Sequence, residues 1–223
     1  MDQSKSVLTY RWVVFLLAAF YVLRMIFLGD YDGFGGPYRY LTNWALVFSC
    51  TSGFAMLMIS LGRNQKRIDG FVGMTAVINV MVVILYWRIY FADPYAFQAS
   101  GELGVWWQEY YWHGLGPALQ IIDALFIHRS FRKPFRSLAA VIGVIAVYVV
   151  WIEAAVEPLN SSPVGSVTSG LPYRFLNSLE WSGRVDFYIA NAVVAVVLTI
   201  VFTALAWAIR LASRPSRAEK PFL

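Results

Sequence analysis

The sequence predicts an all-α polytopic membrane protein, six transmembrane helices in one bundle with both termini cytoplasmic. Three observations predict it. Hydrophobic residues make up 59% of the 223-residue chain and charged residues only 14%, against about 25% charged in soluble domains. The apolar residues come in blocks long enough to cross a bilayer, which takes about 20 residues per helix. Basic and acidic residues flank alternate ends of those blocks.

The blocks run at about 10–28, 43–62, 70–91, 111–128, 136–156 and 186–210. The first is too long, and too poor in a small-residue cleavage site, for a removable signal peptide, so it reads as a retained helix. Short basic turns at 62–67 and 129–134 make spans two and three, and spans four and five, antiparallel neighbours. Span four is entered through Trp106, Trp107, Tyr110, Tyr111 and Trp112, an aromatic belt suited to headgroup depth. At this length residues 1–223 form a single domain.

The net charge of +5 marks topology rather than a nucleic-acid surface. Lys5, Arg11, Arg63, Lys66, Arg67, Arg129, Arg132, Lys133, Arg136, Arg210, Arg214, Arg217 and Lys220 gather on one side. Asp30, Asp32, Asp93, Glu102, Glu109, Glu157, Glu180 and Asp186 gather on the other. The positive-inside rule then puts the loops at 29–42, 92–110 and 157–185 outside. The host is a bacterial cytoplasmic membrane, or a eukaryotic ER or plasma membrane. In the second case Asn160-Ser161-Ser162 is a glycosylation sequon in an outer loop. Cys50 is the lone cysteine, so no internal disulfide forms and it reads as a small packing residue.

Polar residues inside the spans fall on shared helical faces. Thr42, Ala45, Ser49 and Ser52 line span two; Thr75, Asn79 and Tyr86 line span three; His113, Pro117 and Gln120 line span four; Tyr188, Asn191 and Thr199 line span six. Together they imply a bundle with a polar interior in its outer half. The stripe of small residues in span two also permits close helix approach. Asp123 is the most expensive residue, a carboxylate about 15 Å deeper than His113. It either locks helices through Gln, Asn or Arg neighbours or relays protons or an ion. Arg24 snorkels outward or pairs with a carboxylate, while Arg88 and Glu153 read as solvated at outer span ends.

Thr42 opens span two and His113 opens span four, at one depth on one side. A hydroxyl and an imidazole there are the minimum kit for hydrolysing a lipid ester. The other histidine, His128, lies about 22 Å along the same helix, so the two cannot share a haem. With one cysteine a zinc site is equally unsupported. No cofactor or metal is expected, and acid–base chemistry remains. Asn43, Arg39, Gln120 and Asn79 are candidate oxyanion or substrate contacts. A short echo, Pro37-Tyr38-Arg39-Tyr40-Leu41 and Pro172-Tyr173-Arg174-Phe175-Leu176, precedes spans two and six. It suggests arginines that anchor headgroups.

The segment Gly35-Gly36-Pro37-Tyr38-Arg39-Tyr40-Leu41-Thr42 resembles the opening of the androgen-induced gene family of membrane hydrolases. Trp112-His113, then Pro117 and Asp123, is similar to the family's histidine, proline and acid, with the proline one residue nearer. The resemblance implies a hydrolase of fatty acid esters of hydroxy fatty acids. It also implies that Thr42 is the nucleophile and His113 its base. Two other readings stand beside this one. In the first the chain binds or scaffolds lipid without catalysis, Thr42 capping its helix. In the second it is a small proton-coupled transporter that uses Asp123.

Overall fold

The structure is a computed structural model that describes residues 5–64, 66–92, 104–160 and 170–213. Among the described residues it is helical and has no strand. The elements are α1 (Lys5–Leu28), a 3-10 turn (Gly36–Arg39), α2 (Leu41–Ser60), α3 (Asp69–Ala92), α4 (Trp106–Tyr110), α5 (Gly116–Ile122), α6 (Pro134–Trp151), α7 (Glu157–Leu159), α8 (Arg174–Asn177) and α9 (Trp181–Ala212). Among the described residues five stretches are long and apolar enough to cross a membrane: Lys5–Leu28, Leu41–Ser60, Asp69–Ala92, Pro134–Leu159 and Trp181–Ala212. That makes this an integral membrane bundle.

The expected fourth span, 111–128, departs from a regular helix. It is a relay of α4, a π turn at Tyr111–Leu115, α5 and a second π turn at Asp123–Ile127. The first break has a local cause: Gly114, Gly116 and Pro117 fall together, and proline removes a helical donor. The last span also starts earlier than expected, at Trp181.

The third helix, α3, is the axis of the bundle. Of its most apolar window 61% is buried, against 22% for α9. Its close contact with α6 depends on Gly73, where an added Cβ would sit 2.3 Å from Ser137 Oγ. Ser49 on α2 joins three elements. Asn79 Nδ2 donates to its Oγ at 2.9 Å, and Gln120 Nε2 donates to its carbonyl at 3.2 Å. Three other residues of the expected polar faces bond within their own helices. Thr75, Asn191 and Thr199 each donate to a carbonyl four residues back on their own helix.

Two charges, Arg11 and Glu153, sit otherwise than the sequence suggested, and Arg24 reaches outer-segment residues rather than a carboxylate. Arg11, read as a flanking topology marker, is 2% exposed. Its guanidinium grips Asp123 in a fork at 2.9 and 3.0 Å and also donates to the Met56 carbonyl and Ser60 Oγ. Glu153 is not solvated; it pairs with Arg184 at 2.9 Å and accepts the Tyr188 hydroxyl. Arg24 donates to the neutral Gln108 Oε1 at 2.7 Å and lies over Trp107, whereas Arg88 is exposed. The Asn160 amide of the sequon is engaged, donating to the carbonyls of Phe34 and Val156. Ser161 and Ser162, together with Asp93, Glu102, Arg214, Arg217, Lys220 and the Arg174 side chain, lie outside the described residues.

Candidate active site

The approach to α2 is built from backbone that only glycine adopts freely. Gly35 and Gly36 have φ of +86° and +47°, and a Cβ on Gly36 would meet Tyr31 at 2.8 Å. Pro37 then enters the 3-10 turn, and Asn43 Nδ2 ties back to the Pro37 carbonyl at 2.6 Å. The residue capping α2 is Tyr40, with no side-chain cap. Distant tyrosines hold the first turn instead. Leu41 N–H donates to the Tyr173 hydroxyl at 3.1 Å, and the Tyr148 hydroxyl donates to the Arg39 carbonyl at 2.8 Å. The two echoed segments therefore meet, Tyr173 packing edge-on against Tyr40. Thr42 is left without a capping task. Its Oγ1 stands 3.4 Å from His113 Nε2.

His113 owes its position to the break in its helix. Pro117 has no N–H, so the carbonyl four residues earlier, that of His113, loses its helical donor. Trp87 Nε1 supplies one from α3 at 2.9 Å. The backbone at His113 is accordingly non-helical, φ −113° and ψ 18°. The ring is 4% exposed and lies flat against Tyr86, 3.5 Å between centroids and 6° between planes. Its Nδ1 is 3.1 Å from Glu109 Oε2, within ion-pair range, although the carboxylate lies off the direction of an aligned hydrogen bond. Glu109 also holds the Tyr86 phenol.

Thr42 and His113 share the wall of a cavity of about 690 Å³. Arg39 and Asn43, both expected near the chemistry, line it too, as do apolar residues such as Met81, Val82, Leu85 and Ile145. Arg39 is paired with Asp30 at 2.6 Å. Asn79 and Gln120 are not on this wall; their amides serve Ser49. Asp123 is not on it either, being held by Arg11. Sequence reasoning gave Glu109, Tyr86 and Trp87 no part in the site, reading Glu109 as an outer-side acid and Tyr86 as one member of the polar face of span three. Glu109 precedes His113 by one helical turn in the sequence, a spacing that puts two side chains on one face. Trp87 left no such signal, and the polar face that carries Tyr86 did not name its partner, since both come from another helix.

The sequence pattern of the FAR-17a/AIG1-like proteins matches residues 6–206. The chain belongs to the FAR-17a/AIG1-like family. Membership agrees with a membrane hydrolase, and the match spans all five long apolar stretches up to Ala206 of α9. No curated protein and no solved structure matches the chain. Within this FAR-17a/AIG1-like chain, the threonine and the histidine singled out from the sequence are neighbours in space.

Proposed function

We propose that this chain is an intramembrane lipid-ester hydrolase that uses Thr42 as nucleophile and His113 as base, on fatty acid esters of hydroxy fatty acids or similar acyl lipids. One observation carries the reading: a hydroxyl and an imidazole nitrogen 3.4 Å apart on the wall of a largely apolar cavity. Contacts of this length in a substrate-free site tighten when the reacting group arrives. As Oγ1 bonds to the ester carbon, its proton passes to Nε2 and the carbonyl π pair moves onto oxygen. Collapse expels the alcohol, which takes the Nε2 proton, and leaves an acyl-threonine. Water then attacks the acyl carbon, giving one proton to Nε2, and the acid leaves as Thr42 recovers that proton. Arg39 and Asn43 are in reach of the same cavity as polar contacts.

Lipid binding without catalysis loses its explanation for Thr42, because Tyr40 occupies the capping position. A transporter working through Asp123 has to break a forked ion pair to Arg11 first. The test is covalent labelling by an alkyl fluorophosphonate, with hydrolysis of an acyl ester in parallel. Thr42→Ala and His113→Ala are each expected to remove both signals while the melting profile in detergent stays that of the wild type. Persistent labelling in either folded variant rejects the pair.

A further inference from the structure

Beyond the threonine and the histidine, we infer that Glu109 is the positioning residue of this site, setting which nitrogen of His113 carries the proton. The inference rests on the hydrolase reading above. For His113 to accept a proton from Thr42, Nε2 must be bare, and the ring proton must sit on Nδ1. Nε2 is the nitrogen facing Oγ1, and Nδ1 is the one facing Glu109 Oε2 at 3.1 Å. A carboxylate accepts only, so it favours the tautomer with hydrogen on Nδ1. It also stabilises the imidazolium that forms when Thr42 gives up its proton.

The surroundings fit that task better than they fit an interfacial acid. The Glu109 side chain is 21% exposed and that of His113 5%. Nδ1 is buried, and among the described residues no hydrogen-bond partner competes with Glu109 for it. Tyr86 closes the arrangement from both sides, its ring lying on the imidazole and its phenol on the carboxylate. A helical turn joins Glu109 to His113, and the π turn at Tyr111–Leu115 begins between them.

The experiment compares Glu109→Gln, Tyr86→Phe and Thr42→Ala with the wild type in detergent, using hydrolysis of a para-nitrophenyl acyl ester. Nitrogen-15 NMR of the histidines is read alongside, with His113→Asn assigning the signal. Glu109→Gln is isosteric and is expected to lower kcat on the order of 100-fold with KM little changed. The same variant shifts the His113 ring toward the Nε2-protonated tautomer. Tyr86→Phe keeps the stacked ring, loosens the carboxylate and gives a smaller fall in kcat. An unchanged kcat and tautomer in the glutamine variant overturns the role of Glu109 even if Thr42→Ala is inactive. Hydrolysis that survives Thr42→Ala instead overturns the threonine reading, and the tautomer signal then tests Glu109 by itself.

Discussion

The two ends of the broken helix, at His113 and at Asp123, each place one polar side chain opposite a partner from the first half of the chain. At the Asp123 end the partner is Arg11, and every strong group is satisfied: two bonds to the carboxylate, one to the Met56 carbonyl and one to Ser60. Tyr10 adds a hydrogen bond to the Leu119 carbonyl at 2.6 Å. At the His113 end the partner is Thr42, joined by one long contact beside a cavity of about 690 Å³. A saturated charged pair in an apolar bundle is a fastener. An unsaturated pair beside open volume has bonding capacity left for a ligand. The difference lies in how much valence the fold leaves unused, not in polarity.

Swapping the damage between the ends gives the largest expected effects. Thr42→Ala should reduce turnover at least about 10³-fold with the thermal melt unmoved. Asp123→Ala should do the reverse, since an unpaired buried Arg11 costs about 3–5 kcal/mol, read as a lower melting temperature with turnover per folded molecule retained. If both variants lose activity without losing stability, the contrast between the ends collapses. A middle-sized effect comes from Pro117→Ala. Restoring the N–H at 117 lets the helix reclaim the His113 carbonyl from Trp87, moving the ring, and turnover falls on the order of tenfold to a hundredfold. The smallest comes from Gly36→Ala. A side chain at this left-handed position costs about 1–2 kcal/mol and should lower the melt slightly, with a modest loss of rate as the start of α2 shifts.

Much of this was legible in the sequence, and the remainder was hidden for physical reasons. Apolar blocks report spanning helices directly, and five of the six expected blocks are long, apolar helical stretches. The fourth carried its own warning in Gly114, Gly116 and Pro117, but average hydropathy does not register a missing donor. Thr42 and His113 were legible as a pair because each opens an apolar run on the same side. Arg11 and Glu153 were misread for one shared reason. A charge near the end of a span looks the same in sequence whether water or a buried partner takes it, and the partners here are 112 and 31 residues away. Glu109 was assigned to topology, although its spacing from His113 made a contact foreseeable.

The hydrogen bond from Leu41 to Tyr173 reaches across 132 residues of chain. During synthesis the first spans are made long before Tyr173 leaves the ribosome, so the turn carrying Thr42 lacks that restraint until the loop ahead of α9 arrives. The nascent bundle thus gains a correctly set hydroxyl only after that loop has emerged and folded back onto the start of α2. A ribosome stalled before that loop would hold helices already formed around a site still out of register.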